Sequence, residues 1–337
     1  MLTAFSWLLY VFIVGLFAFG VWLCTLEFPG PGLFLGLFVI AVAAELRPRF
    51  GRVSRFATEV TAAEAPQLHG LVAQVAAAVG APVPAVYVED DEFNASCGAY
   101  GLRRRKVLVL GLPLWNALSG QQRVALLGHE LGHFVNGDPR RGMIVQPALT
   151  TLGRLAALFE HEERIEHPED NLIGVLVHWA INAVKAVIRG LLLPPRFLLA
   201  VLALRDGQRA EYRADRLAAM VAGRAATVEL LDMMTVSESA LMLLKRDARA
   251  GRPVTEWPAT ISSLLAEVRP NLPARREAEL ERVSLFASHP PNGLRSQLVA
   301  AQANESAAVV LSEATNARID VELAKQSARS ARTMKAL

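Results

Sequence analysis

The sequence contains only two cysteines, Cys24 and Cys97, among its 337 residues. Cys24 lies in an apolar run and Cys97 in a stretch with the composition of a loop, which excludes a disulfide framework and a zinc site built on thiolates. Blocks of Lys and Arg interleaved with aromatic residues are also missing, and the net charge is only +3. These two features give no support for nucleic-acid binding. A metal site in this chain must therefore use histidines and carboxylates.

Charged side chains are absent from residues 3–26, which consist mainly of Leu, Phe, Val, Trp and Ala. About 20 such residues cross the hydrocarbon core of a bilayer as a helix. A secretory signal peptide would begin with basic residues, and this segment contains no Lys or Arg. A second, shorter apolar run covers residues 28–44. Residues 1–46 are therefore predicted to form a transmembrane helical hairpin in a lipid bilayer.

A basic linker is predicted at residues 47–60, directly after the hairpin. It contains Arg47, Arg49, Arg52 and Arg55, with no acidic residue between them. Positive charge beside a membrane segment marks the cytoplasmic side. The sequence therefore predicts a multi-pass protein of the cell (inner) membrane in which the domain after the linker lies in the cytoplasm.

The clearest chemical signal lies on a helix that begins with a capping-box pattern at Ser119. His129 and His133 are four residues apart on this helix and project from one face. Two imidazoles in that arrangement can bind one Zn²⁺ ion. Glu130, between them, is in the position of a general base that acts on metal-activated water.

A catalytic zinc site needs a third protein ligand. The candidates are Glu211 and the remaining histidines: His69, His161, His167, His178 and His289. Glu211 and Asp215 are four residues apart on a strongly helical stretch, so Glu211 can bind zinc while Asp215 accepts a hydrogen bond from a ligating histidine. Both carboxylates could instead pair with neighbouring arginines on a solvated face. The H-E-x-x-H pattern favours the metal site.

Three segments, KVLVLGLPLWNALSGQQRVALLGHELGHFVNGD, AEYRADRLAA and SHPPNGLR, occur in the same order as in a known enzyme family. Residues 60–300 resemble the M48 family of metallopeptidases, in particular its membrane-bound HtpX-like proteases and more distantly its CAAX-processing enzymes. The resemblance implies a mainly α (α+β) fold, with a zincin-type domain and a small β-sheet. It also implies that His129, His133 and Glu211 bind zinc and that Glu130 is the base.

The same resemblance implies roles for residues around the metal. Asp215 and Arg295 would surround the ligands, and His289 would stabilise the oxyanion. Asn94 and Ala95 would pair with an extended substrate backbone. The cysteine two residues after Ala95 departs from the small or aromatic residue that the family usually has there.

These features together predict a membrane-anchored zinc endopeptidase that cleaves membrane or misfolded polypeptides in protein quality control. One alternative is a dedicated processing protease of the CAAX type, but the hydrophobic many-helix chamber of such enzymes is not evident. The other is an inactive zinc-bound membrane scaffold, which would have no need of a base such as Glu130.

The metallopeptidase domain is predicted at residues 61–300. Within it, residues 172–204 are very apolar but are interrupted by basic residues and a Pro-Pro pair. Because His129 and Glu211 would share one ion, the chain between them must cross the membrane an even number of times. Two full spans fit badly, so amphipathic helices at the membrane surface or over the cleft are expected, with a short hairpin as the alternative. Residues 301–337 are predicted to form a peripheral helical tail.

Local patterns predict further elements of the domain. Apolar spacing indicates a helix at residues 61–79 that ends at Gly80. Strands are expected at residues 83–88 and 106–110, with a turn-rich loop around Asn94 between them.

Overall fold

The computed structural model describes residues 2–26, 30–48, 52–101, 104–160, 172–281, 289–303 and 306–337. His161 and His167, two of the candidate third ligands, lie outside these ranges. The chain divides into two compact units. The first consists of Met1–Phe50 and Arg141–Arg205, and the second of Gly51–Arg140 and Asp206–Leu337.

The described residues are mainly helical. In chain order the helices and strands are α1 (Leu2–Leu26), α2 (Pro31–Glu45), β1 (Thr58–Val60), α3 (Pro66–Val79), β2 (Ala85–Glu89), β3 (Ala95–Tyr100), β4 (Arg105–Gly111), α4 (Leu112–Ala117), α5 (Gly120–Asn136), α6 (Asp138–Leu158), α7 (Leu172–Ala222), α8 (Arg224–Thr235), α9 (Ser237–Arg249), α10 (Trp257–Val268), α11 (Leu272–Glu281), α12 (Asn292–Ala300), α13 (Glu313–Glu322) and α14 (Ala324–Ala336). Short 3₁₀ turns occupy Val254–Glu256 and Arg269–Asn271. This mainly α fold with one small sheet is the class that the sequence predicts.

In the first unit, α1 and α2 form the predicted pair of apolar helices. They meet at glycines: a Cβ added to Gly36 would lie 2.6 Å from the carbonyl oxygen of Gly20. Small residues of this kind allow two helix backbones to approach closely, as is common between helices in membranes. The close contact explains how two helices of almost entirely apolar composition hold together.

Residues 172–204 differ from the expectation of several amphipathic helices. They belong to one continuous helix, α7, with Pro194 and Pro195 inside it. Two prolines remove only two backbone donors, and the leucines on both sides continue the helix. Exposed apolar side chains such as Leu176, Trp179 and Ile181 point in different directions around its axis. A helix that is apolar all round differs from an amphipathic surface helix.

Two of the described helices are long and apolar enough to cross a membrane, judged by length and composition. They are Ser6–Leu26 in α1 and Gly174–Ala222 in α7. The helix α2 is apolar but shorter.

The second unit is built around a four-stranded sheet with the order β1-β2-β4-β3. The central strands β2 and β4 are parallel, and β1 and β3 pair antiparallel at the two edges. The expected loop around Asn94 is wrong from Ala95 onward, because β3 begins there. The sequence of β3, ASCGAY, contains small residues with weak strand preference. Pairing with the buried strand β4 supplies the order that local preference does not.

The helices predicted from capping signals are present, although α3 begins at Pro66 and not at residue 61. α3 ends at Gly80, whose φ of 75° lies in the left-handed region that glycine adopts without strain. α5 starts with the capping box between Ser119 and Gln122 and ends at Gly137, with a φ of 76°. Buried residues of α5, among them Leu127 and Leu131, join the sheet and α3 in one hydrophobic core.

The C-terminal tail is helical, as predicted, but it is not peripheral. Ile319 of α13, Leu323 between the two helices and Met334 of α14 belong to the main core and are at most 1% exposed. Only a few large apolar residues occur in this Ala-rich segment, so its composition predicted an exposed position at the surface. Their placement on the inner sides of the two helices makes the tail a structural part of the second unit.

Candidate metal centre

Two helices with small residues at their contact bring the site together. A Cβ added to Gly128 of α5 would lie 3.0 Å from the Cα of Ala218 in α7, and one added to Gly132 would lie 3.2 Å from the Cα of Ala214. Larger residues at these positions would push the two backbones apart. The two glycines of α5 and the two alanines of α7 are each four residues apart, so they line one face of each helix. The helices α5 and α7 can therefore pack closely beside the predicted ligands.

His129, His133 and Glu211 meet in one place, and their ligand atoms all lie within 4.8 Å of one another. The two Nε2 atoms are 3.3 Å apart. Glu211 Oε2 is 3.5 Å from His129 Nε2, and Glu211 Oε1 is 3.5 Å from His133 Nε2. The structure thus unites two imidazoles one helical turn apart with a carboxylate from 78 positions later in the chain (211 − 133 = 78).

The residues of this cluster fit a metal ion. Glu211 is only 5% exposed, and its Oε2 atom is buried without accepting a hydrogen bond from any described residue. Arg295 Nη2 is 3.2 Å away from it but does not form a hydrogen bond with it. Arg295 offsets the charge of the carboxylate, but this oxygen still accepts no hydrogen bond, so its lone pairs are available to a metal ion. Two imidazole nitrogens and one carboxylate are also the donor set of several catalytic zinc sites.

Asp215 and Arg295 lie beside the cluster formed by His129, His133 and Glu211. Asp215 Oδ1 lies 3.0 Å from His129 Nδ1, the nitrogen on the opposite side of the ring from the cluster. Arg295 donates from Nε and Nη2 to both oxygens of Asp215, at 2.8 and 2.7 Å. A carboxylate behind a ligating histidine fixes the ring orientation and its tautomer.

The electrostatics of the cluster follow from these contacts. Burial alone would lower the pKa of His129, but the neighbouring carboxylates of Asp215 and Glu211 outweigh burial and raise that pKa to about 10. Burial alone would raise the pKa of Glu211, yet the imidazoles of His129 and His289 and the charge of Arg295 hold it far below its usual range. A metal ion binds an unprotonated imidazole, so binding of an ion to His129 would require the loss of its proton.

His289 is exposed to solvent, whereas Glu130 is buried. His289 Nδ1 is 3.0 Å from Glu211 Oε1, and its side chain is 59% exposed. The expected oxyanion group is therefore beside the ligand cluster and open to solvent. Glu130, the expected base, is 7% exposed on α5 between the two histidine ligands.

Asn94 and Ala95 lie at the start of the edge strand β3. Asn94 O accepts a hydrogen bond from Gly111 N at 2.9 Å. Hydrogen-bonded pairs alternate along an antiparallel ladder, so the main-chain groups of Ala95, Cys97 and Ala99 face away from β4. Within the described part of the chain, no strand pairs with this side of β3.

Sequence reasoning missed two contributors to the site. The first is the pairing of Gly128 and Gly132 with small residues of α7, although their spacing of four was visible in the sequence. The second is Asn292, whose Oδ1 accepts from Arg295 Nη1 at 3.3 Å. Asn292 lies within the segment SHPPNGLR, but its contact with Arg295 depends on how the N-terminus of α12 is placed.

Comparisons with known proteins agree with the geometry. The family model "Peptidase family M48" matches residues 62–303. "Protease HtpX homolog" of Persephonella marina is 25% identical over 243 residues, which cover 70% of this chain and 74% of that protein. "Protease HtpX homolog" of Dictyoglomus turgidum is 26% identical over 170 residues, covering 48% and 51% of the two chains. "Protease HtpX" of Tolumonas auensis is 28% identical over 162 residues, covering 46% and 53%.

The match thus spans about half the length of two of these relatives and about three quarters of the third. No solved structure matches the chain. The family match includes all three residues of the candidate metal cluster and most of the second unit. The chain therefore belongs to peptidase family M48.

Proposed function

We propose that this chain is a membrane-anchored zinc-dependent endopeptidase. The observation that carries the proposal is the meeting of His129, His133 and Glu211 around a buried carboxylate oxygen without a hydrogen-bond donor. Membership of peptidase family M48 supports peptide-bond hydrolysis as the reaction.

Each residue near the cluster has a role in this reaction. Bound zinc would lower the pKa of a water molecule toward 7 and polarise the peptide carbonyl. Glu130 takes the proton from the attacking water and passes it to the leaving amine. His289 donates a hydrogen bond to the oxyanion that forms at the carbonyl. Asp215 holds His129 in the orientation that directs Nε2 to the ion.

The outer edge of β3, with which no described strand pairs, is the proposed binding site for the substrate backbone. An extended polypeptide can add to an exposed sheet edge through main-chain hydrogen bonds. The outward groups of Ala95 and Ala99 offer such bonds, next to the expected contact at Asn94. Recognition through the backbone depends little on side chains, and this suits a protease for varied membrane or misfolded proteins.

The location of the enzyme is proposed from its helices and its charges. α1, α2 and the apolar part of α7 would anchor it in the cell (inner) membrane. The arginines of the 47–60 linker would keep the second unit in the cytoplasm. In that position the enzyme would act in the quality control of membrane proteins.

Replacement of Glu130 tests the proposed chemistry. A Glu130→Gln variant keeps both histidine ligands and the size of the side chain, so it should bind zinc like the wild type. It cannot take up the proton, so cleavage of casein or a model membrane substrate should fall by at least about 100-fold. A chelator should abolish the activity of the wild type. Undiminished cleavage by Glu130→Gln would rule out the assigned base.

A further inference from the structure

One short helix carries a large part of the environment of the metal cluster. α12 has nine residues and holds Arg295, which contacts both Asp215 and Glu211. His289, beside Glu211, lies three positions before its first residue. A shift of α12 would therefore change two groups that contact the ligand Glu211.

The N-terminus of α12 is held by a neighbouring helix. The N-cap residue, Pro291, makes no side-chain capping bond. Instead Glu279 of α11 accepts a hydrogen bond from Asn292 N at Oε1 and one from Gly293 N at Oε2, each at 2.9 Å. A carboxylate at this end of a helix satisfies free N–H groups and interacts favourably with the helix dipole.

The close packing of α11 against α12 leaves no space for a side chain at position 293. A Cβ added there would lie 2.6 Å from the Cβ of Arg276 and 2.8 Å from its Cα. Arg276 in turn donates to Asp232 of α8 at 2.5 Å and to Ser296 of α12 at 3.0 Å. Ser296 donates to the same oxygen of Asp232 at 2.8 Å. These contacts fix α11 and α12 to the body of the second unit.

We propose that Glu279 is a positioning residue for the metal centre. It fixes the N-terminus of α12, α12 fixes Arg295, and Arg295 orients Asp215, which holds His129. Glu279 does not touch the ligands in this sequence of contacts. The inference rests on the proposed zinc site and adds α11 to the elements that determine its affinity for metal and its turnover.

The chain offers a matched control at Glu322. This residue of α13 caps the start of α3 in the same way, by accepting hydrogen bonds from Gln67 N at 2.8 Å and Leu68 N at 3.1 Å. Neither α3 nor α13 carries a residue of the metal cluster. Glu279→Ala and Glu322→Ala therefore remove the same kind of cap. The first removes it from α12, which carries Arg295, and the second from α3, which carries no residue of the metal cluster.

The test compares zinc affinity, by chelator competition, with kcat and KM for a peptide substrate in the full-length protein. Glu279→Ala should bind zinc roughly tenfold more weakly, at the low end of the range of about 10- to 100-fold for residues that support metal ligands. Its kcat should fall more than its KM rises. Glu279→Gln, which keeps an oxygen acceptor, should recover part of the loss. Glu322→Ala should lose thermal stability but keep the zinc affinity and kcat of the wild type.

Gly293→Ala gives an independent route to the same result, because its new Cβ would displace α12 from Arg276 while leaving Glu279 intact. It should also weaken zinc binding. Equal zinc affinity and kcat in Glu279→Ala, Glu322→Ala and the wild type would overturn the inference about α11. Failure of the wild type itself to bind zinc would instead overturn the proposed function.

Discussion

Gly128 of α5 lies against Ala218 of α7 so closely that a Cβ added to the glycine would be 3.0 Å from the Cα of the alanine. Gly128 immediately precedes His129, one of the proposed metal ligands. The distance between the two histidines and Glu211 thus depends on the absence of a side chain at position 128.

Gly128→Val should separate α5 from α7 and weaken the metal site. Excess volume at a tight contact costs about 1–3 kcal/mol and shifts the backbone. We expect a lower melting temperature and reduced zinc content in the purified protein. Gly70→Val is the matched control, since an added Cβ on that residue of α3 would meet nothing within 4 Å. Normal zinc content in Gly128→Val would show that the close contact is not required.

Asp215→Asn should weaken metal binding without removing a ligand. The amide keeps the shape of the side chain but loses the charge that supports His129 and pairs with Arg295. Loss of such a partner typically reduces metal affinity or activity by about 10- to 100-fold. Chelator competition measures the change. Asp247→Asn, which alters another buried aspartate that lies on α9, should leave the zinc affinity unchanged.

Asp320→Ala should destabilise the protein through the C-terminal tail. Arg123 of α5 is 2% exposed, and Asp320 Oδ1 accepts a hydrogen bond from its Nη1 at 2.6 Å. Asn316 Oδ1 accepts from the same nitrogen at 2.7 Å. Loss of a hydrogen bond to a buried charge costs about 1–3 kcal/mol. Thermal unfolding measures the loss, and the exposed Arg318→Ala serves as the control.

If Asp320→Ala and Arg318→Ala unfolded at the same temperature, the tail would not have the structural role that its buried contacts indicate. The family match ends at residue 303, so this experiment tests a segment that lies outside it.

Asp247 should make stability depend on pH. Burial alone would raise its pKa, but hydrogen bonds from Thr260 and Arg246 and the charge of Arg252 lower the pKa below the usual value. The carboxylate therefore stabilises the fold fully at pH values above its unfolded pKa of about 3.9. That contribution is lost as the pH falls from there through the lower pKa of the folded state.

Thermal unfolding of the wild type and Asp247→Asn at a series of pH values measures this contribution. The difference in melting temperature should be large at pH 7 and should shrink as the pH falls below about 4. A difference that stayed constant over this range would contradict the role of the charge.

The ligand cluster was predictable because its signals are local. The capping box at Ser119 and the spacing of His129 and His133 define one face of one helix, and both are present in the structure. Glu211 has no such local signal. It was predicted because a catalytic zinc site needs a third protein ligand, and because Glu211 and Asp215 are four residues apart.

Features that depend on distant contacts were not predictable. β3 has the composition of a loop and becomes a strand only by pairing with β4. The tail has few large apolar residues, and its burial follows from contacts with helices far away in the chain. The role of Glu279 depends on a helix that begins 13 positions later, with no motif to connect them (292 − 279 = 13).

Zinc analysis of the purified wild type beside Glu211→Ala tests the central claim most directly. Joint binding by two imidazoles and this carboxylate predicts about one zinc ion per chain in the wild type and a large loss in the variant. A folded Glu211→Ala protein with a full complement of tightly bound zinc would contradict the three-residue site.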